Sequence, residues 1–578
     1  MGFKIKVAKT AGFCFGVQRA LEKVLDLIRK SDDPVRTLGP LIHNDQVLES
    51  LKLRGVDVWD ANEKLCGQTV VIRAHGVTPS STEVLKQNDV NILNATCPKV
   101  AKVQGIVKKY ASIGYQIIIV GDRGHAEVEG LVGYTAGRAD VISGIDDATK
   151  LPEYHQICVV AQTTQSRHRF DTTVEYLKSR YDDCVVFDTI CSATSERQEE
   201  TVKLAEKSDL MIVVGGKKSA NTKRLADISS EFCRTVLVHS SEDITPQIIN
   251  NANQIGITAG ASTPSWVIRE VVDKVREVGW VKSGGIYKLF HYSIGFLLKC
   301  GVISSLGLGF LTGALSIFLN IPINPSLMVI AFWMGLIWST CNAMSAQKKL
   351  YTESRLTRHP IMDYPNAWLS GLGVLSVIAI LLLSVQGLPV FIWGIFASLI
   401  CLFCFVHIGE WKFKISAVSK FINNYPAVKD IFTCITEAFI VVWLPAIAYS
   451  KSDMNTIFFF VYVMLLLLIR EIMVDSRELQ IDLISGKQTV LMILGKNRIQ
   501  MLLQVMVIIW ALTIIMPVVF GSLSAGTLIL LIVPAFYALY TYLFHHRLMF
   551  LRITSDLAIE SGTWIVVLLS LVYVLFLF

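Results

Sequence analysis

Closely paired cysteines are absent from the first half of this 578-residue chain. Twelve cysteines occur in all, and Cys14, Cys97 and Cys191 are separated from one another by more than eighty residues. Structural zinc sites usually take their cysteines in pairs such as C-x2-C, so this spacing disfavours a zinc ribbon. A disulfide uses two thiols and not three, and lone cysteines of this kind are more typical of an intracellular protein. The C-x2-C pair Cys401 and Cys404 lies in an apolar segment, where packing is its simplest role.

The first residues also lack the features of a secretory signal peptide. M-G-F-K-I-K-V has neither a long apolar region nor a small-residue cleavage site. Lys6 stands where a myristoylation signal needs serine or threonine, so lipidation is not expected. The net charge of +7 fits a membrane protein with basic cytoplasmic loops. We therefore expect no nucleic-acid partner.

One construction occurs three times in the first half of the chain. An apolar, β-branched run ends at a polar corner that carries one cysteine, and a segment of helical character follows. In α/β folds, ligands bind at the carboxyl ends of strands, because loops converge there and helix N-termini point inward. We therefore expect three thiols to meet at one point. The three segments are K-I-K-V-A-K-T-A-G-F-C-F-G with Cys14, V-N-I-L-N-A-T-C-P-K with Cys97 and C-V-V-F-D-T-I-C-S with Cys191.

Three converging thiols favour an iron–sulfur cluster over the alternatives. A cluster held by three cysteines leaves one iron free to act as a Lewis acid on a substrate oxygen. A tetrahedral zinc would need a fourth ligand. Each cysteine could also be a small buried hydrophobic residue, which is common for a free thiol. The threefold recurrence of strand, corner and cysteine favours the cluster.

Other strand ends in the first half carry groups that bind phosphate oxygens. Imidazoles, hydroxyls, amides and the backbone N–H groups at helix starts all donate hydrogen bonds to such oxygens. Glu127 is the acid best placed inside a pocket of this kind, and its alternative role is a solvated loop carboxylate. We expect a pocket for a phosphorylated ligand beside the thiols. Its candidate residues are His43, His75, His125, Thr163, Ser219, Asn221 and Ser262.

The order of these segments resembles one family, the 4-hydroxy-3-methylbut-2-enyl diphosphate reductases or LytB proteins. The resemblance covers residues 3–281 and implies three similar α/β lobes around a central [4Fe–4S] cluster. It implies reductive dehydroxylation of that diphosphate to isopentenyl and dimethylallyl diphosphate, the last step of the non-mevalonate pathway, with electrons from a ferredoxin- or flavodoxin-type protein. The matching segments are A-G-F-C-F-G-V, L-I-H-N, R-A-H-G-V, A-T-C-P, G-H-A-E-V-E-G, Q-T-T, C-S-A-T-S-E-R-Q, S-A-N-T and G-A-S-T-P-S-W.

The resemblance also implies a role for each site residue. Cys14, Cys97 and Cys191 would hold the cluster. Glu127, with His125 and Thr163 nearby, would deliver the proton. Ala220 stands where the family often has a second serine, so a backbone contact would replace that side chain. The residues implied to bind the diphosphate are His43, His75, His125, Thr163, Ser219, Ala220, Asn221 and Ser262.

The composition changes after Gly284–Gly285. Residues 1–283 alternate short apolar strands with amphipathic helices, which predicts a soluble α/β domain. Residues 284–578 contain apolar runs of roughly 20 residues, which predict an all-α, polytopic membrane domain that spans a lipid bilayer. Lysine and arginine are concentrated in 346–365, 409–430, 470–499 and 545–555, so we expect the inner membrane, with the N-terminal domain in the cytoplasm. About nine spans are predicted, beginning near 292, 326, 367, 389, 431, 455, 500, 523 and 559.

The loop after the sixth predicted span is acidic. Glu471, Asp475, Glu478 and Asp482 recur every three or four residues, so they lie near one face of a helix. Clustered carboxylates at a membrane surface suit magnesium bound to a diphosphate, and Asp475 and Asp482 are its candidate ligands. The nine spans with R-E-x-x-x-D and D-x-x-x-G-K-x-T resemble the UbiA family of intramembrane prenyltransferases.

The resemblance to the UbiA family is incomplete. That family's other acidic motif, N-D-x-x-D-x-x-x-D, would fall on Asn342–Leu350. Ala343, Ala346 and Leu350 occupy its aspartate positions. One magnesium site therefore lacks its usual ligands, which favours an altered or binding-only membrane domain.

Three functional hypotheses follow from the sequence. The first is a membrane-tethered reductase that makes the five-carbon isoprenoid diphosphates. The second is a bifunctional enzyme whose C-terminal half also transfers a prenyl chain. The third is an iron–sulfur redox sensor on a membrane anchor, with no catalytic activity.

Overall fold

The computed structural model describes residues 3–577 apart from ten short stretches, and it forms two compact units that divide within 281–292. The predicted boundary between residues 283 and 284 lies in that stretch, outside the described residues, so it stays a prediction. The stretches left out are 31–33, 60–67, 89, 281–292, 348–360, 362–363, 407–425, 486–493, 495 and 546–551.

The first unit contains three four-stranded sheets in which every strand pairing is parallel. We call them the first, second and third lobes. The first lobe has the order β1-β12-β10-β11. Its strands are β1 (Lys4–Val7), β10 (Leu210–Val214), β11 (Arg234–Val238) and β12 (Gln254–Ala259), with helices α9 (Ala220–Ser230) and α10 (Ser265–Trp280).

The second and third lobes repeat this order of strands along the sheet. The second, β3-β2-β4-β5, consists of β2 (Val35–Leu38), β3 (Val56–Val58), β4 (Thr69–Ile72) and β5 (Asn91–Asn94), with α2 (Asp45–Lys52) and α3 (Pro79–Gln87). The third, β7-β6-β8-β9, consists of β6 (Gln116–Val120), β7 (Ala139–Ile142), β8 (Gln156–Ala161) and β9 (Asp183–Phe187), with α5 (Ala126–Gly133), α6 (Ile145–Ala148) and α7 (Arg167–Arg180).

Strands β6 and β10 are apolar because both of their faces are buried. In β6, Ile117 and Ile119 join one buried cluster, whereas Ile118 and Val120 join another on the opposite face. Successive side chains of a strand point to opposite faces, so a strand covered on both sides needs a continuous apolar run. All five residues of β10 are buried in the same way.

Three further helices follow the outermost strands β1, β5 and β9, and each reaches a neighbouring lobe. They are α1 (Phe15–Lys30), α4 (Pro98–Ser112) and α8 (Ser192–Ala205). The arrangement is cyclic: α1 reaches the second lobe, α4 the third and α8 the first. Its contacts are Arg19 Nη1 to Thr96 O at 3.0 Å, Val103 and Val107 packed with Ile117 and Ile119, and Glu200 Oε1 to Lys9 N at 2.7 Å. The predicted three-lobed α/β fold is confirmed.

All described secondary structure in the second unit is helical. Seven helices are long and apolar enough to cross a membrane, and the pair Ser293–Lys299 and Val302–Phe318, bent by 74°, makes an eighth when counted as one span. The remaining predicted span, near 389, corresponds to a helix with a shorter described apolar stretch, Leu388–Ile400. The other helices are Pro325–Gln347, Pro365–Ser384, Leu388–Val406, Pro426–Ala438, Leu444–Ala448, Met454–Ser485, Lys496–Val519, Ile532–His545 and Arg552–Leu577, with a π-helical turn at Phe439–Trp443.

Candidate active site

The three cysteines occupy equivalent positions in the three lobes. Each follows the outermost strand on one side of its sheet and precedes the first residue of α1, α4 or α8. Each also donates its backbone N–H to the loop that follows the adjacent strand. These bonds are Cys14 N to Ala261 O at 3.1 Å, Cys97 N to Ala74 O at 2.9 Å and Cys191 N to Thr163 O at 2.9 Å. The fold therefore fixes all three cysteine backbones in the same way.

The cysteine thiols lie close together. A Cβ atom built on Gly16 would lie 2.7 Å from Cys97 Sγ and 3.9 Å from Cys14 Sγ, so only glycine leaves room beside these sulfurs. Cys97 interacts electrostatically with both Cys14 and Cys191, and burial raises the pKa of its thiol. The side chains of Cys97 and Cys191 make no capping bond to their own helices. Three converging thiols with a glycine beside them fit an iron–sulfur cluster.

Three histidines from the second and third lobes also converge. His43 follows β2, His75 follows β4 and His125 follows β6. One ring nitrogen of each lies within 4.8 Å of the others, and the ring centroids are 4.9 to 6.1 Å apart. Among the described residues, no other three His, Cys, Asp or Glu side chains have ligand atoms this close together, which is the spacing that a single metal ion requires.

The hydrogen bonding of His125 favours an anion over a metal at this histidine cluster. His125 caps α5, and its Nδ1 accepts the backbone N–H of Glu127 at 3.2 Å. The ring proton of the neutral imidazole then resides on Nε2, which becomes a donor and has no lone pair for a metal. His75 Nδ1 is buried without a hydrogen-bond partner among the described residues. A ligand that accepts hydrogen bonds would satisfy the cluster.

Burial sets the electrostatics of the histidine cluster. It lowers the pKa of His125 to about 4 and that of His75 well below its usual value. The pKa of His43 is lowered by burial first and by Arg73 second. The unliganded imidazoles are therefore neutral near pH 7, and an added anion would favour their protonation.

Glu127 and Thr163 form a buried pair. Glu127 is 1% exposed and accepts the Thr163 backbone N–H at 2.7 Å and the Thr163 hydroxyl at 2.8 Å. Burial raises the pKa of the Glu127 carboxyl, and the two bonds from Thr163 oppose that shift. A buried carboxyl with a raised pKa is suited to hold a proton and then release it.

The first lobe supplies the remaining predicted ligands. Ser219 caps α9, Ala220 is the first residue of that helix, and Ser262 Oγ donates to His43 O at 3.1 Å. Asn221 is buried, and neither polar atom of its side chain has a hydrogen-bond partner among the described residues. An amide left in this state costs free energy unless a ligand satisfies it. The Asn221 side chain therefore has a donor and an acceptor available to a ligand.

Three basic residues near the site were missed by sequence reasoning. Arg73 and Lys218 interact electrostatically with His43. Arg224 donates to Asp122 at 2.8 Å and so joins α9 to the loop that carries His125. Arg73 lies inside the R-A-H-G-V segment, and that position could have suggested it. Nothing local in the sequence pairs Arg224 with Asp122.

The described residues do not test the predicted magnesium site of the membrane half. Asp475 is buried in the helix Met454–Ser485, but the side chain of Asp482 lies outside the described residues, so this site stays a prediction. Ala343 lies in the helix Pro325–Gln347, whereas the side chain of Ala346 and all of Leu350 are outside the described part.

The membrane half instead contains a buried ion network that the sequence did not indicate. Arg470 donates from Nε to Glu560 at 3.0 Å and from Nη1 to Glu471 at 3.3 Å. Glu437 is 6% exposed and interacts electrostatically with all three. Buried carboxylates thus outnumber the guanidinium in this group. Such groups inside membrane domains are costly unless paired.

Comparison with known proteins gives matches that cover the first half of the chain. A family described as "LytB protein" matches residues 5–276. The 4-hydroxy-3-methylbut-2-enyl diphosphate reductase of Caldanaerobacter subterraneus subsp. tengcongensis is 41% identical over 280 residues, which are 48% of this chain and 97% of that protein. The reductase of Geobacter sulfurreducens is 40% identical over 282 residues, 49% of this chain and all of that protein.

Solved structures give a weaker likeness. The E-1-hydroxy-2-methyl-but-2-enyl-4-diphosphate reductase from Plasmodium falciparum is 31% identical and covers 47% of this chain and 88% of its own, with a TM-score of 0.46. The family match and the near-complete coverage of relatives at about 40% identity decide the assignment. Through residues 5–276, the chain belongs to the LytB family.

Proposed function

We propose that the first half of the chain reduces 4-hydroxy-3-methylbut-2-enyl diphosphate to isopentenyl and dimethylallyl diphosphate. The observation that carries this proposal is the convergence of three thiols, three neutral histidines and the Glu127–Thr163 pair at the strand ends of three lobes. The names of relatives that the chain covers almost completely support the same reaction.

The cysteine set suits the cofactor that this reaction needs. Cys14, Cys97 and Cys191 would hold a [4Fe–4S] cluster, because Gly16 leaves space beside the sulfurs and no capping bond occupies Cys97 or Cys191. When bound, the cluster supplies single electrons and a Lewis-acidic iron. We propose a ferredoxin- or flavodoxin-type protein as the electron donor.

The histidines and the first lobe would bind the diphosphate. His125 Nε2–H, the Asn221 amide and the Ser219 hydroxyl are neutral donors, and the Ser262 hydroxyl becomes one when it rotates away from His43 O. Protonation of the histidines on binding adds charge. Arg73 and Lys218 add positive potential beside His43. The backbone N–H of Ala220, at the start of α9, replaces the hydroxyl that its side chain lacks.

Glu127 would supply the proton in the reductive step. The substrate C–O bond breaks, its oxygen leaves as water, and a C–H bond forms, so one turnover consumes two electrons and two protons. Burial favours the protonated carboxyl, and Thr163 stabilises the carboxylate that remains after transfer. Thr163 thus orients Glu127 in both protonation states.

The proposal for the membrane half concerns its placement. We place its spans in the inner membrane with the reductase half in the cytoplasm, on the distribution of lysine and arginine among its loops.

Magnesium bound by Asp475 and Asp482 is part of the same proposal, supported by the burial of Asp475.

Anaerobic purification of the full chain tests the proposed reaction. The protein should contain iron and sulfide and should convert the hydroxylated diphosphate with a one-electron reductant. Cys14→Ser, Cys97→Ser and Cys191→Ser should each lose iron and turnover, because three ligands leave no spare, whereas Cys233→Ser is the matched control. A cluster without any turnover would favour the redox sensor, and normal iron in one of the three variants would remove that cysteine from the cluster.

A further inference from the structure

The protein surface beside Cys14 and Cys97 contains exposed residues from two adjacent helices, α1 and α4. Phe15, directly after Cys14, is 71% exposed although it is a large apolar side chain. The first turns of α1 and α4 lie side by side, because Gly16 is next to Cys97 Sγ and Arg19 donates to Thr96 O. Pro98, Lys99 and Lys102 are exposed on α4. We call Phe15, Pro98, Lys99 and Lys102 the corner surface.

The two lysines of the corner surface occupy an unfavourable place in their helix. The first turn of α4 contains no acidic residue, and Lys99 and Lys102 lie three residues apart, on the same side. Cations near a helix N-terminus oppose the helix dipole, so these lysines do not serve helix stability. They do raise the positive potential directly outside Cys97.

Charge around the three cysteines is uneven. Beside α4, Arg19 and Lys23 of α1 donate to carbonyls of the second lobe, which adds two positive charges. On α8, after Cys191, the exposed charged residues near the helix start are Glu196 and Glu199. Positive charge around the three cysteines is therefore concentrated beside the first turns of α1 and α4. An acidic partner would be attracted there and not to the start of α8.

From the exposed Phe15 and the positive charge beside it, we infer that the corner surface is the docking site of the electron donor. This donor is a small redox protein of net negative charge. The inference rests on the proposed function, because it presumes a cluster at the three thiols. Electron tunnelling weakens steeply with distance, and the corner surface is the exposed protein next to two of these thiols. The lysines attract the acidic rim of the donor, and Phe15 supplies an apolar contact at the centre. Each encounter oxidises one reduced donor by one electron, and two encounters complete a turnover.

Charge reversal on α4 tests the docking site in the full chain, reconstituted anaerobically in detergent. The variant Lys99→Glu/Lys102→Glu should raise the KM for a reduced acidic [2Fe–2S] ferredoxin about tenfold and weaken the salt dependence of its reaction. Turnover with reduced methyl viologen, a small cationic reductant that needs no protein docking, should stay unchanged. Acidic residues at a helix start are favourable, so the variant should fold. Phe15→Ser should also raise the KM for the ferredoxin, but the salt dependence of the reaction should stay equal to that of the wild type.

The matched control reverses two lysines at the other end of the same helix. Lys108 and Lys109 are exposed and lie roughly 13 Å farther along α4, so Lys108→Glu/Lys109→Glu should leave the ferredoxin KM unchanged. Equal ferredoxin kinetics in the wild type and the Lys99/Lys102 variant would overturn the docking site, and so would an equal loss with both reductants. A wild-type protein inactive even with methyl viologen would instead contradict the proposed reaction.

Discussion

At the scale of single residues, the site consists of buried polar groups in unusual states. Glu127 is a carboxyl inside the protein, His75 and His125 are imidazoles that burial keeps neutral, and Asn221 is an amide without a partner among the described residues. Each costs stability in the unliganded protein. Together they describe a ligand that accepts hydrogen bonds and takes up a proton.

Replacing Glu127 by glutamine should separate binding from proton transfer. The amide keeps the size and can still accept a bond from Thr163, so the KM should change little. It cannot donate a proton, so we expect kcat to fall about 10²- to 10⁴-fold. Steady-state kinetics with methyl viologen measure both values. Glu129→Gln, an exposed acid two residues further along α5, is the control, and an unchanged kcat in Glu127→Gln would exclude Glu127 as the acid.

Diphosphate binding should take up protons at the histidine cluster. The pKa of His125 is about 4 without ligand, and a bound anion raises it. Protons are taken up between these two pKa values, so affinity should strengthen as pH falls from 7.5 to 6. Calorimetry of pyrophosphate binding in buffers of different ionisation enthalpy measures the uptake. His125→Asn, which can still cap α5, should take up fewer protons, and the exposed His168→Asn should match the wild type.

Many of the residues at the site could be predicted from the sequence, because the ends of strands in parallel sheets meet at a common edge. His43, His75 and His125 were predicted from that rule, and the structure places them together. The pairing of Asp122 with Arg224 was not predictable, since it joins residues from different lobes with no local signal. The tautomer of His125 also depended on a capping bond that only the folded loop shows.

At the scale of elements, the helix that follows each cysteine holds the next lobe in place. In α8, Arg197 is 3% exposed and donates to Ala259 O at 2.6 Å and to Gly12 O at 2.9 Å. These carbonyls belong to the first lobe, and Gly12 precedes Cys14 by two residues. One side chain therefore ties the helix after Cys191 to the loop that carries another cysteine.

Arg197→Met should loosen the Cys14 loop. The substitution leaves two carbonyls without a charged donor, at a cost of about 1–3 kcal/mol for each. Amide hydrogen exchange should become faster in peptides covering residues 8–16, and the iron content should fall. Lys203→Met, an exposed position on the same helix, is the control. Unchanged exchange in the Arg197 variant would show that the loop is held by its other contacts.

In the membrane half, Arg470 should be the most sensitive member of its ion network. Arg470→Leu leaves Glu560 and Glu471 buried without their cation, which should destabilise the fold by about 3–5 kcal/mol. The remaining folded fraction after heating in detergent, read by size-exclusion chromatography, should drop. Adding Glu560→Gln should recover part of the loss. Arg498→Leu, an exposed arginine in the next helix, should behave like the wild type.

Element types were more predictable than their details. Each of the nine predicted spans overlaps a described helix, because long apolar runs are unambiguous. The bend of 74° near residue 300 and the π-helical turn at Phe439–Trp443 had no expected signal. In the soluble half, α1 begins at Phe15, directly after Cys14. Helix starts depend on capping geometry, which periodicity does not report.

At the scale of the whole molecule, the reductase half should work without the membrane half. All candidate residues of the reductase site precede Trp280, and the contacts described around them lie within the first unit. A fragment of residues 1–283 should be soluble, bind iron and reduce the substrate at the full-chain rate. Size-exclusion chromatography and the methyl viologen assay check this. A folded, iron-loaded and inactive fragment would assign part of catalysis to the membrane half.

The pairing of β1 with β12 has a consequence for how the protein matures on the ribosome. These strands lie side by side in the first lobe although about 250 residues separate them in sequence. The second and third lobes can each form from a contiguous stretch while synthesis continues, but Cys14 has no complete lobe until residue 259 has emerged. Insertion of the proposed cluster would therefore follow translation of nearly the whole reductase half. By then the first apolar helices are the next residues to leave the ribosome, so metal loading and membrane insertion compete for the same interval.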